Sequence, residues 1–158
     1  MSNSTTSVNL GTYLSGLGTV LGVGSQDTQD AMGQYFQYTL TAAQILSMFA
    51  TPIVILPATI AGTGRTICVD YVLMRYTSGG TAFAGGGAIS VGYVGGSAVA
   101  TTLAASVINS TTSSDTILGN LAANLTALQN TGIQITNGTA AFTTGNGTLQ
   151  VQLHYSVN

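Results

Sequence analysis

The segment TLQVQLHYSV, residues 148–157, alternates without a break. Leu149, Val151, Leu153, Tyr155 and Val157 fall on one side; Gln150, Gln152, His154 and Ser156 fall on the other. A repeat of two is that of a β-strand with one face in a core and the other towards water. Working back along the chain, Gly145-Asn146-Gly147 reads as a tight turn, with Phe142 before it. Ile133 and Ile135 form a further strand that stops at Asn137-Gly138.

The middle of the chain continues the pattern. Thr41 is placed to cap a short helix, Ala42 to Phe49, with Ile45, Leu46 and Phe49 on one side. Pro52 ends that helix, and Ile53 to Leu56 is a short buried strand stopped by Pro57. The turn Ala61-Gly62-Thr63-Gly64 leads, as a hairpin, into Thr66 to Tyr76. Strict alternation there puts Ile67, Val69, Tyr71 and Leu73 on one face, and Cys68, Asp70, Val72 and Met74 on the other. Both faces are partly apolar, which predicts a central strand. A glycine-rich loop spans 78–87 around Phe83. In Ala88 to Val94, Ile89, Val91 and Tyr93 alternate with small residues that let another backbone lie close. Residues 98–128 stay open between helix and strand: Ile117, Leu118, Leu121, Leu125 and Leu128 have helical spacing, but Gly119 and Asn120 interrupt it. Six or more short strands with turns between them predict an all-β fold, a single β-sandwich or jelly-roll-like domain with at most one or two short helices.

The first 36 residues differ. MSNSTTSVN is polar and reads as a disordered start. Leu10, Leu14, Leu17 and Leu21 then make a helical stripe, yet Gly11, Gly16, Gly18, Gly22 and Gly24 sit among them. Each glycine costs about 1 kcal/mol in a helix interior, so an isolated helix should not hold. Residues 1–36 are therefore read as a Gly-rich arm that orders on a partner or a neighbouring subunit, and 37–158 as the sandwich domain.

Composition limits the chemistry. Only 4% of the 158 residues are charged: Arg65, Arg75, Asp27, Asp30, Asp70 and Asp115, with no Lys and no Glu. Binding nucleic acid electrostatically takes several cations, so that class is excluded. One His and one Cys supply no metal cluster and no disulfide. No cofactor is implied. With a net charge of −2, little electrostatic repulsion keeps copies apart, which favours assembly. The N-terminus has no basic residues before its apolar stretch, so no secretory signal is read. Residues 42–62 carry no charge but contain Pro52, Pro57, Gln44, Ser47 and Thr51, and are not read as a membrane span.

Each candidate site has a plainer reading beside it. Gly62-Thr63-Gly64-Arg65-Thr66 departs from a phosphate-binding loop, with Thr59 in place of the first glycine, Arg65 in place of lysine, and a strand following instead of a helix. Cys68, His154 and Asp70 are the residue types of a nucleophile, base and orienting acid. Nothing nearby supplies an oxyanion hole or lowers the thiol pKa, so Cys68 is read as a small buried apolar residue and no enzyme is expected. Because charge is so scarce, Arg65, Asp70 and Arg75 stand out. They are expected to pair with one another or with a partner chain, against the plain alternative of a solvated surface. Sequons at Asn3, Asn109, Asn124, Asn137 and Asn146 are attributed to the abundance of Asn, Ser and Thr, and are not read as glycosylated.

Three stretches carry a family resemblance: LTAAQILSMFATPIVILPA (40–58), VDYVLMRYTSGGTAFAGGGAISVGY (69–93) and ITNGTAAFTTGNGTLQVQLHYSV (135–157). In this order they resemble small virion proteins of tailed bacteriophages. Such proteins show an AAQI-x-x-x-FATP opening, a T-A-(F/Y)-x-GGG loop and a closing I-T-N-x-T-A-x-F-x-x-G-(N/D)-G-T-L strand pair. The resemblance implies a capsid cement or decoration protein, a compact and often trimeric β-sandwich on the head exterior that ties adjacent capsomers through the major capsid protein. Two features depart from the family: Gln150, Gln152 and His154 stand where Lys and Arg are usual, and the Gly-rich arm has no counterpart. Leu10, Leu14, Leu17, Leu21, Arg65, Asp70, Arg75 and Phe83 are the expected contacts to the coat or between subunits. The alternative is a head-fibre, spike or tail-tip adhesive, in which Tyr76 and Phe83 beside the Gly-rich loop would touch a glycan.

Overall fold

The computed structural model describes residues 34–119 and 128–158. Leu10, Leu14, Leu17 and Leu21 lie outside the described residues, as do Asp27, Asp30, Leu121 and Leu125. The described elements run β1 (Gln34–Leu40), α1 (Ala42–Ser47), β2 (Ile53–Leu56), a 3-10 turn at Ala58–Ile60, β3 (Ile67–Thr77), β4 (Ile89–Tyr93), α2 (Ala105–Ile108), β5 (Ser114–Leu118), β6 (Ile133–Asn137) and β7 (Thr148–Val157). The strands form two sheets, ordered β1-β7-β3-β5 and β2-β6-β4, with every pair antiparallel. The domain is all-β and sandwich-like, with two short helices.

Strand β7 is the axis of the larger sheet, paired on one side with β1 and on the other with β3. Its inward residues Leu149, Val151 and Leu153 are fully buried, in one core with Ile89, Val91, Ile133 and Ile135 of the smaller sheet. Burying each such side chain contributes roughly 1.5–3 kcal/mol. Helix α1 starts where the sequence says it should. Gln44 N–H donates to Thr41 Oγ1 and Thr41 N–H donates to Gln44 Oε1, a reciprocal capping box.

Four expectations change. Strand β1 begins at Gln34, so the sheet crosses the boundary expected between residues 36 and 37. The turn at 61–64 is a crossing from one sheet to the other and not a hairpin, because β2 pairs with β6 while β3 pairs with β7. Ser114–Leu118 is a strand paired with β3, which resolves part of the open stretch, and α2 resolves another. In β3 the alternation changes phase: Ile67 and Val69 are buried, then Val72, Met74 and Tyr76. A bulge between Val69 and Tyr71 in the register with β7 causes the change.

The Gly-rich loop packs its one aromatic ring into the core, while Gly79 to Thr81, Ala84 and Gly85 stay exposed. Phe83 is only 2% exposed, with its ring edge-on to Tyr76 (6.4 Å) and Phe142 (6.0 Å). Glycines make room for these rings: a Cβ at Gly145 would collide with Phe83, and one at Gly86 would collide with Phe142. Both glycines also have φ in the left-handed region, +117° and +74°, that L side chains avoid. Asn146 ties the two loops together, its side-chain Oδ1 accepting from Thr81 N–H and its Nδ2 donating to the Gly79 carbonyl.

Candidate binding face

The bulge in β3 determines what the outer face of the four-stranded sheet presents. Asp70 and Tyr71 are consecutive residues, yet both are exposed, beside the outward His154 of β7. Asp70 Oδ2 lies 2.8 Å from His154 Nδ1, and the Tyr71 ring stacks on the imidazole at 5.0 Å with planes 4° apart. On the other side of His154, Tyr35 of β1 stands directly opposite it in register. A row Tyr35–His154–Tyr71 thus crosses three strands, with Tyr35 58% and Tyr71 43% exposed.

Two further rows follow from the register. Gln37, Gln152, Leu73 and Ile117 form one, and Thr39, Gln150, Arg75 and Asp115 the other. Gln152 Nε2 donates to Gln37 Oε1 and to Gln150 Oε1, and Tyr35 Oη–H donates to Gln37 Oε1. Arg75 grips Asp115 with two hydrogen bonds, Nε to Oδ1 at 2.9 Å and Nη2 to Oδ2 at 3.1 Å. That bond raises the guanidinium pKa above its ordinary value and holds the Asp115 carboxyl below its own. Ile117 beside them is 74% exposed, the most open of the large apolar residues described.

Asp70 and Arg75 therefore find partners within the chain, His154 and Asp115, and do not pair with each other. Arg65 sits before β3 starts, donating to the Val157 carbonyl. Phe83 and Tyr76 are core residues, and neither ring offers a surface contact. Cys68 is half-buried, not buried, and its sulfur accepts a hydrogen bond from Asn158 Nδ2. The sequence singled out Asp70, Arg75 and, as a residue type for a base, His154, but not Asp115, Tyr35, Tyr71 or Ile117. Missing was the cross-strand register, which needs the bulge to be recognised. Three of the four charged residues among those described, with the chain's only histidine, share this one face.

Elsewhere, the 62–66 segment leads into strand β3, and its Gly64 N–H donates to Asn130 Oδ1 at 2.6 Å. Among the described residues no three His, Cys, Asp or Glu side chains come together as metal ligands, and no helix is long and apolar enough to cross a membrane. Asn137 is buried, while Asn109 and Asn146 donate their amides to the carbonyls of Gly85 and Gly79. Asn3 and Asn124 lie outside the described residues. No family model, curated protein or solved structure matches this chain.

Proposed function

We propose that the chain is a structural virion protein, a cement or decoration protein that docks on the exterior of a phage head through the outer face of its four-stranded sheet. One observation carries the choice of face. In a chain that is 4% charged, the Arg75–Asp115 ion pair, the Asp70–His154 hydrogen bond, three glutamines and three exposed apolar or aromatic side chains converge on a single sheet surface. Exposed Tyr and Arg among fixed polar groups is the composition of a protein–protein contact. The resemblance to phage virion proteins supplies the partner, the major capsid protein. Clamps across capsomer junctions oppose the strain of packaged DNA, and a homo-oligomer strengthens weak single contacts because the later ones are intramolecular. The adhesive alternative loses the two rings it rested on, since Tyr76 and Phe83 are buried.

The test is re-decoration of particles that lack the protein. Ile117→Asp places an unpaired charge within the proposed contact, on its β5 side; Val54→Asp places one at the exposed residue of β2 in the other sheet. Burying an unpaired charge is expensive, so Ile117→Asp is expected to weaken occupancy about tenfold or more, with Val54→Asp unchanged. Equal occupancy by both variants overturns the assignment of the face.

A further inference from the structure

The two sheets have four edges, and three of them are guarded. Strand β2 is four residues long between Pro52 and Pro57, neither of which can extend a ladder. The edge of β4 is covered by the chain that follows it: Val99 N–H donates to the Val91 carbonyl at 2.8 Å, Leu103 N–H to Ile89 at 2.9 Å, and Tyr93 N–H to Ser97 at 3.1 Å. Strand β5 is five residues long and carries Asp115, while the Gly119 carbonyl just beyond it is taken by Thr101 N–H. Short length, proline, charge and a covering segment are the devices by which proteins stop a sheet from recruiting another strand.

Among the described residues, strand β1 has none of them. It is seven residues long, QYFQYTL, with no proline, glycine or charge. Its ladder to β7 runs without a bulge from Gln34 to Leu40, and its other edge pairs with nothing among the described residues. We infer that β1 is a self-association edge, pairing antiparallel with β1 of a second copy across a two-fold axis. The occupant is a second copy because the strand is complementary to itself. Pairing all seven residues antiparallel about a two-fold centres the register on Gln37, so Phe36 of each copy faces Tyr38 of the other and Tyr35 faces Thr39. Phe36 and Tyr38 are the half-buried, core-side residues of β1, and this register sets them opposite each other as cross-strand aromatic pairs. No charge on either strand opposes the approach. The result is one continuous eight-stranded sheet whose two outer faces join, presenting the Tyr35–His154–Tyr71 row twice on one surface. This inference rests on the edge alone and is independent of the capsid reading. It gives a dimer where the family resemblance implies a trimer.

The experiment is sedimentation velocity on the full chain and on Gln37→Lys and Gln37→Glu, alone and mixed. Gln37 is exposed, so both variants are expected to keep the parent fold. The parent chain is expected to be a dimer. Each single variant sets like charges face to face on the axis and is expected to weaken the dimer at least about tenfold, while an equimolar mixture restores it. Amide exchange over residues 34–40 gives a second readout in the unmodified chain, with protection expected to rise with protein concentration. A parent chain that stays monomeric, forms a trimer, or dimerises equally well with either substitution overturns the inference. So does β1 exchange that is independent of concentration.

Discussion

Replacing Phe83 by alanine separates a core role from a contact role for the one aromatic residue in the Gly-rich loop. The ring is 2% exposed and stands edge-on to Tyr76 and Phe142, with interplanar angles of 61° and 69°. Removing a buried phenyl group costs about 3–5 kcal/mol when the surroundings cannot collapse into the space. The two edge-to-face contacts, each worth roughly 0.5–1.5 kcal/mol beyond area, put Phe83→Ala in the upper half of that range. For a chain of this length the melting midpoint is expected to fall by roughly 10 °C, read by circular dichroism and checked by urea unfolding. Gly145 provides an internal control. Its added methyl group would meet the Phe83 ring, so Gly145→Ala is expected to cost at least about 1 kcal/mol less in the Phe83→Ala background than in the parent. The left-handed backbone strain at Gly145 remains in both backgrounds. A loss below about 1 kcal/mol for Phe83→Ala, with capsid occupancy reduced, would refute the reasoning and return Phe83 to the contact surface.

Other expectations follow from buried or reciprocal hydrogen bonds. Burial pushes the Tyr93 phenol up to about 12, and its hydroxyl donates to the Ile67 carbonyl at 2.5 Å. The unfolded chain loses this proton near pH 10 while the folded chain keeps it, so stability is complete below about pH 10 and declines as pH rises towards 12. Buried Tyr155, also raised, acts in the same direction. Tyr93→Phe is expected to flatten that alkaline decline in urea titrations across pH and to cost about 1 kcal/mol at neutral pH. Asn146→Ala removes both bonds between the two loops and is expected to lose about 1–2 kcal/mol in denaturant midpoints; no change would mean the loops are held by ring packing alone. Thr41→Ala breaks the capping box and is expected to cost about 1 kcal/mol, with amide exchange accelerated over residues 42–47.

What the sequence showed, it showed through period and punctuation. Strand β7 was legible because its alternation is unbroken, and α1 because Thr41 and Gln44 sit at capping-box spacing before an apolar face. Strand β1 was not, because QYFQYTL carries Gln and Tyr on both faces, without a clean apolar–polar alternation, and follows directly on a Gly-rich stretch whose composition dominated the reading. In β3 the apolar residues keep one phase through Val69 and the opposite phase from Val72 onward. Both runs are visible in the sequence, and recognising the switch at Asp70 would have placed Tyr71 and Asp70 together beside His154. Asp115 was hidden because Ile117 and Leu118 share helical spacing with leucines further along. Phe83 misled for a physical reason: a lone aromatic among glycines read as a contact residue, but Gly145 leaves the space its ring packs into.

The proposed cement role requires many copies of this protein on each phage head. Quantitative mass spectrometry of purified virions, counting this chain against the major coat protein, tests it most directly. Hundreds of copies per particle in a simple ratio to the coat is the predicted result. A few to a few dozen copies would contradict it and place the protein at a vertex, fibre or tail.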